Sequence, residues 1–125
     1  MTELSELSDL FSEVAEDIQT SIRELGWHSP TAVQAKAIPL MRGGGDLIVQ
    51  AQTGSGKTGA FGIPLVEGID TSMARIQALV MLPTRELANQ VAVELTTLGR
   101  HRGVLVLHVY GGTGYAEQVD ALESG

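Results

Sequence analysis

A glycine-rich segment that ends in a Lys-Thr pair is the part of this sequence best suited to chemistry. The segment is Ala51-Gln-Thr-Gly-Ser-Gly-Lys-Thr58, and it lies between a short apolar run at 46–50 and a helical pattern that begins at about Lys57. Glycines let successive backbone N–H groups turn toward phosphate oxygens, and the start of a helix adds partial positive charge at the same place. The pattern therefore predicts a loop that binds the phosphates of a nucleoside triphosphate.

The side chains of this loop have separate expected roles. Lys57 is expected to reach the β- and γ-phosphates and the Thr58 hydroxyl to bind Mg²⁺, which makes these two the candidate catalytic residues and Thr58 the candidate metal ligand. The rest of the phosphate cradle is expected from the residues just before them: Gln52, Thr53, Gly54, Ser55 and Gly56. Kinases, GTPases, transport ATPases and helicases all use such a loop, so the loop alone does not choose among them.

The elements that must position this loop follow an alternation of strands and helices. Apolar runs at 46–50, 76–82 and 104–109 predict three strands. A helix is predicted after each strand: from Lys57, from Thr84 as N-cap to about Leu98, and over Tyr115–Glu123. Nearly continuous apolar strands separated by helices predict an α/β fold, with a parallel sheet covered by helices on both faces.

Two further helices are predicted before this alternation begins. Apolar side chains recur on one helical face at Val14, Ile18, Ile22 and Leu25. Ser12 is the expected N-cap of that helix and Gly26 its terminator. A second, short helix is predicted over Thr31–Ala37, because Thr31 can cap its start and Pro39 is expected to limit its extension.

The composition excludes several other classes of protein. The chain of 125 residues has no cysteine and only three, widely spaced histidines, which excludes disulfides and gives no zinc-like spacing. No apolar run could span a bilayer and no leader pattern is present, so a cytoplasmic protein is expected. Seven of the 15 acidic residues lie in the first 25 positions, so the net charge of −7 is mainly an N-terminal feature. Residues 1–10 are therefore predicted to be an acidic lead-in.

The motifs around the loop resemble those of the DEAD-box RNA helicases, a family that unwinds or remodels RNA with ATP. The loop itself is similar to the family's version, in which alanine at the first position is normal. Upstream, Gly26-Trp-His-Ser-Pro-Thr-Ala-Val-Gln34 resembles the family's adenine motif. The resemblance implies that Gln34 recognises adenine and that Trp27 stacks on the base. A glutamine amide can pair with the N6 and N7 edge of adenine, and an aromatic face supports any base.

Three other segments carry the same resemblance. Phe11 resembles the lone aromatic residue upstream of the adenine motif, although it could equally be a core anchor of the first helix. Pro83-Thr-Arg-Glu-Leu-Ala88 is similar to the family's first RNA-contacting motif, and Tyr110-Gly111-Gly112 is similar to its double-glycine motif. The RNA-binding residues that the resemblance implies are Pro83, Thr84, Arg85, Gly111 and Gly112. These would meet the phosphate backbone of RNA, independently of base sequence.

The resemblance covers residues 11–125 and implies the N-terminal portion of the first RecA-like domain of a helicase. The family's Asp-Glu-Ala-Asp tetrapeptide does not occur in the chain. The truncated domain is therefore expected to need the missing second RecA-like domain for activity. On its own it is expected neither to hydrolyse ATP nor to unwind RNA, because groups that position water and neutralise charge are lacking. It is also expected to be marginally stable and prone to aggregate.

Two alternative interpretations stay open at the level of sequence. The chain could be a catalytically inactive module that binds ATP or a partner helicase. It could also belong to another phosphate-loop ATPase, such as a DNA helicase or a transport motor. Selectivity for the base distinguishes a DEAD-box helicase from this last alternative, because Gln34 predicts tighter binding of ATP than of GTP.

Overall fold

The computed structural model describes residues 10–52, 54, 56–111 and 114–124, and the regular elements of this part are helices. After a short helical stretch at 10–12, they are α1 (Glu16–Glu24), α2 (Ala32–Arg42), α3 (Lys57–Gly68), α4 (Arg85–Gly99), a one-turn 3₁₀ helix (Arg100–Arg102) and α5 (Tyr115–Ser124). The predicted starts of α3, α4 and α5 are confirmed. No helix within the described ranges has both the length and the apolar character needed to cross a membrane.

The start of α1 differs from the prediction. Ser12 is not its N-cap, because the first helical stretch ends at residue 12 and α1 begins only at Glu16. Ala15 takes the N-cap position and forms no side-chain hydrogen bond. The side-chain amide of Gln19 joins α1 to the preceding segment, since it donates to the carbonyls of Ser12 and Val14 at 3.0 and 2.8 Å. The predicted apolar face is confirmed: Val14, Ile18 and Ile22 are buried and Leu25 packs against the same core.

α2 begins as predicted and ends later than predicted. Thr31 is its N-cap and forms a reciprocal capping box with Gln34. The prediction that Pro39 limits this helix was wrong, because the helix continues to Arg42. A proline costs the helix one backbone hydrogen bond, but Ile38 beside it is fully buried, and this packing holds the backbone helical through the exposed proline.

The three segments predicted as strands have no regular secondary structure among the described residues, and no backbone ladder joins them there. Two of them nevertheless keep the alternation of a strand. Val80, Leu82, Val104 and Val106 pack against the helical core, whereas Leu79, Met81 and Leu105 are 82, 85 and 77% exposed. One face of each segment therefore lies on the helices. The strand pairing expected from the sequence is not formed among the described residues. The face of each segment that points away from the helices is apolar and uncovered.

The core lies between the helices. α2 packs on α3, α3 packs on α4, and α1 packs on α4 and on the 3₁₀ helix. The buried side chains at its centre are Leu10, Phe11, Val14, Ile18, Ile22, Ile38, Ile63, Val66, Val91, Leu95 and Leu98. Phe11 is 7% exposed, so in this structure it serves as a core anchor.

Arg102 ties α1 to the end of α3. Its guanidinium donates to both carboxylate oxygens of Asp17, at 3.0 and 3.1 Å, and to the carbonyls of Val66 and Glu67, each at 3.4 Å. The hydrogen bonds from Arg102 lower the pKa of Asp17 below its usual value, and burial opposes them. This contact holds α1 in place, and with it the segment that follows α1.

Candidate functional site

Trp27 is placed by the way α1 ends. Gly26 adopts a left-handed conformation (φ +78°), and its N–H donates to the carbonyl of Arg23 at 2.9 Å. The N–H of Trp27 donates to the carbonyl of Ile22 at 3.1 Å. These two bonds form a Schellman motif, which turns the chain sharply out of the helix. Trp27 is half-buried there and packs against the edge of the core.

Gln34 joins the predicted adenine motif to the predicted phosphate loop. Its Oε1 accepts the N–H of Thr31 at 3.0 Å, and its own N–H donates to Thr31 Oγ1 at 3.3 Å. Its Nε2 donates to the carbonyl of Gly56 at 3.1 Å. The side chain is 2% exposed, so water does not replace these bonds. The amide is thereby held at the foot of the loop, 22 residues along the chain.

The loop turns at two glycines. Gly54 and Gly56 have φ angles of +82° and +89°, a region that glycine enters without strain. Gly56 is also the N-cap of α3, and no side chain caps this helix start. A Cβ at Gly56 would lie 2.7 Å from Gln34 Nε2 and from Thr31 Oγ1. The side chains of the adenine motif therefore pack directly against the backbone of Gly56.

The two candidate catalytic residues lie in the first turn of α3. Lys57 is exposed, and its Nζ donates to the carbonyl of Ala51 at 2.5 Å, across the mouth of the loop. Thr58 is half-buried and Gln52 is exposed. Thr53 and Ser55, also predicted to cradle phosphate, lie outside the described residues.

This arrangement is chemically suited to a triphosphate. The helix start supplies N–H groups and partial positive charge, and Lys57 supplies a mobile cation. In the described part of the chain no three His, Cys, Asp or Glu side chains come together around a metal position. The Thr58 hydroxyl in the first turn of α3 is an oxygen donor of the kind that suits Mg²⁺.

The predicted RNA-contacting motifs meet through Arg85. Its Nη2 donates to the carbonyl of Gly111 at 2.9 Å, and its guanidinium carbon lies 4.7 Å from the centre of the Tyr110 ring. Thr84 caps α4 by accepting the N–H of Leu87 at 3.1 Å. Pro83, Thr84, Arg85 and Gly111 are all exposed. Gly112 lies outside the described residues.

Two sets of contacts that position the candidate residues were not predicted from the sequence. Thr31 supports Gln34 as described above, and the Thr-x-x-Gln pattern of a capping box was the signal for it. Tyr110 and His108 stack with ring centres 5.6 Å apart and an interplanar angle of 13°, and they form one surface with Arg85. Their spacing of two residues in an extended segment places both rings on one side, which was the available signal.

Comparisons with known proteins show which family the chain resembles. A family model described as DEAD/DEAH box helicase matches residues 31–125. The chain is 46% identical over 111 residues to the DEAD-box ATP-dependent RNA helicase CshA of Bacillus licheniformis, covering 89% of this chain. It is 50% identical over 109 residues to the CshA of Streptococcus pneumoniae, covering 87% of this chain. The chain spans 23% and 21% of the lengths of these two relatives.

A solved structure shows the same fold. The crystal structure of a DEAD box protein from Methanococcus jannaschii is similar, with a TM-score of 0.79 and 39% sequence identity. The match covers 90% of this chain and 31% of that one. The α/β fold predicted from the alternation of elements and its RecA-like form, which the family resemblance implied, are thereby confirmed, although the backbone ladder of the sheet is not formed in the described residues.

Proposed function

Because the chain belongs to the DEAD/DEAH box helicase family, we propose that it forms the N-terminal part of the first RecA-like domain of an ATP-dependent RNA helicase. In this proposal it binds Mg²⁺-ATP at the phosphate loop and RNA at the start of α4. The observation that carries the proposal is the hydrogen bond from Gln34 to Gly56, because it joins a base-recognition motif to a phosphate-binding loop. RNA as a partner also agrees with the cytoplasmic location that the sequence favours.

Gln34 has the capacity to recognise adenine without giving up its present bonds. An amide nitrogen carries two N–H groups and an amide oxygen two lone pairs. One N–H is used on Gly56 and one lone pair on Thr31. The remaining donor and acceptor match N7 and the N6 amino group of adenine, and guanine presents an acceptor where adenine has the amino group. Trp27 then supplies the stacking face.

Lys57 binds the phosphates by exchanging one hydrogen-bond acceptor for another. In the present structure it donates to the carbonyl of Ala51. A triphosphate offers charged oxygens, which are stronger acceptors than a neutral carbonyl. Lys57 therefore moves to the β- and γ-phosphates when the nucleotide binds, while Thr58 holds Mg²⁺.

The proposed RNA-binding surface binds RNA through hydrogen-bond donors rather than through its shape. Arg85 is held in place by Tyr110 and by the Gly111 carbonyl, and a guanidinium has five N–H donors, so several are left for a phosphate. The amides at the start of α4 add partial positive charge beside it. Contacts of this kind neutralise phosphates and do not distinguish bases, so binding weakens as salt is added.

Nucleotide binding tests the proposal directly. We expect the chain to bind Mg²⁺-ATP more tightly than Mg²⁺-GTP by calorimetry, and the Lys57→Ala variant to lose most of both affinities while unfolding at the same temperature. Equal affinities for ATP and GTP would contradict the adenine assignment. No turnover is expected in a steady-state ATPase assay with saturating RNA, because the chain lacks the Asp-Glu-Ala-Asp tetrapeptide. Clear RNA-stimulated hydrolysis by this chain would refute that part.

A further inference from the structure

Arg85 lies in a stack of flat side chains that extends beyond the motif to which it belongs. Its guanidinium carbon is 4.7 Å from the centre of the Tyr110 ring. The Tyr110 ring in turn stacks on the imidazole of His108, with ring centres 5.6 Å apart and an interplanar angle of 13°. His108 is exposed and belongs to none of the motifs with a predicted role. The stack therefore joins a residue without an assigned role to the guanidinium that is proposed to bind RNA.

The Tyr110 ring has room to move on one side. A cavity beside it has a volume of about 180 Å³ and is lined by Leu107, His108, Tyr110, Gly114, Glu117 and Gln118. The backbone at this point is held from α5, because the N–H of Tyr110 donates to Gln118 Oε1 at 3.2 Å. A fixed backbone leaves several side-chain rotamers open, since the ring can still turn about its first side-chain bond. The imidazole of His108 lines the same cavity and packs against the ring there.

We propose that His108 is a positioning residue for RNA binding, because its imidazole keeps the Tyr110 ring in the orientation that supports the Arg85 guanidinium. The inference rests on the proposed RNA-binding role of Arg85. Another support of this side chain is the Gly111 carbonyl, which accepts from Nη2 at 2.9 Å. That bond holds one nitrogen, and the ring holds the rest of the guanidinium from one side. His108 thereby reduces the conformational freedom that Arg85 loses when it binds a phosphate.

The expected effect on RNA affinity follows from the strength of such a contact. A stacked aromatic pair shifts an equilibrium by about twofold to tenfold. We expect His108→Ala to weaken the binding of single-stranded RNA by a factor in this range. The loss should be smaller than that of Arg85→Ala, because the variant removes a support and keeps the guanidinium.

A conservative variant shows whether the flat ring is what matters. His108→Phe keeps a ring that can stack on Tyr110, and it has no N–H group that could bind RNA itself. It should therefore bind RNA with the affinity of the parent. If His108→Phe loses as much affinity as His108→Ala, or if His108→Ala loses none, the proposal is overturned.

A cycle of single and double variants distinguishes positioning from direct contact with RNA. In the Arg85→Ala background no guanidinium is left to position, so the addition of His108→Ala should have no further effect on affinity. An equal loss in both backgrounds would overturn the proposal, because His108 would then act independently of Arg85. Fluorescence anisotropy with a labelled single-stranded RNA, at constant salt, measures each of these affinities.

The matched control lies in the same segment of the chain. Leu105 is 77% exposed and lies on the face opposite to the one that packs on the helices. Leu105→Ala therefore shortens an exposed side chain nearby without touching the stack, and it should bind RNA as the parent does. A loss in Leu105→Ala equal to that in His108→Ala would overturn the proposal, because any change in the segment would then suffice.

A measurement without RNA separates this inference from the proposed function. In the NMR spectrum of the isotope-labelled chain, the ring current of Tyr110 should displace the Nε–H signal of Arg85, which Arg85→Ala identifies by its loss. We expect His108→Ala to move this signal toward its position in Tyr110→Leu, and His108→Phe to leave it in place. If the parent binds no RNA, the RNA-binding proposal fails, and the spectra still decide whether His108 positions Arg85. If the parent binds RNA and His108→Ala changes neither the affinity nor the spectrum, the proposed function stands and the role of His108 falls.

Discussion

Replacing Gln34 by glutamate changes a single group of the side chain and tests the junction between the adenine motif and the phosphate loop. The variant keeps the oxygen that accepts the Thr31 N–H at 3.0 Å. It replaces the nitrogen that donates to Gly56 at 3.1 Å with a second oxygen. Two acceptors would then face each other at a position that is 2% exposed.

The expected cost follows from this geometry. A buried acceptor left without its donor costs about 1–3 kcal/mol of unfolding free energy. Burial and the opposing carbonyl raise the pKa of the introduced carboxyl above the ordinary value of about 4.3. Its protonated form can donate to the Gly56 carbonyl in place of the amide. The cost should therefore be small near pH 4 and grow to its full value as the pH rises through the raised pKa.

Urea unfolding followed by Trp27 fluorescence, from about pH 4 to pH 8, measures this cost. The matched control is Gln77→Glu, because Gln77 also accepts a backbone N–H and donates to a carbonyl, both of Asp70 and both at 2.8 Å. Gln77 is exposed, so water can solvate the new carboxylate, and little change is expected. If Gln34→Glu costs no more than Gln77→Glu near pH 7.5, or if acid does not relieve its cost, the argument for a tight junction is refuted.

Three further outcomes are expected. Asp17→Asn should lower the unfolding free energy by about 1 kcal/mol at pH 7, because the half-exposed pair with Arg102 is lost. Since Arg102 lowers the pKa of Asp17, the difference from the parent in urea titrations should shrink as the pH falls through that pKa, and a difference that grows toward acid would contradict it. Arg85→Ala should weaken binding to all single-stranded RNA sequences alike and reduce the slope of log affinity against log salt by about 0.7, as fluorescence anisotropy would show, and a loss confined to one sequence would argue for base recognition instead. Thr84→Ala should remove the N-cap of α4 and cost about 1 kcal/mol in thermal or urea unfolding, whereas Thr84→Ser should cost little.

The parts of the fold that local sequence controls were predictable. Thr84 can cap a helix and the run after it is helical, so the start of α4 needed no knowledge of the rest of the chain. The apolar face of α1 followed from spacing alone. The extent of α2 did not, because the burial of Ile38 against α3 is a tertiary contact that outweighs the local effect of Pro39.

The contacts that assemble the site were beyond local reasoning. Gln34 and Gly56 are separated by 22 positions, and Arg85 and Gly111 by 26. Nothing in the spacing of a single segment tells which carbonyl a buried amide will meet. The family resemblance pointed to Gln34 and Arg85 as site residues. The hydrogen bonds that hold these two side chains in place came only from the structure.

The uncovered apolar segments bear on how the protein is made and handled. Ile48 is 97% exposed, and Leu79, Met81 and Leu105 are each more than three-quarters exposed. Wherever these side chains stay uncovered, two copies of the chain can associate through them at a rate that rises with the square of the concentration, while folding within one copy is independent of concentration. The yield of refolding of this chain should therefore depend steeply on dilution.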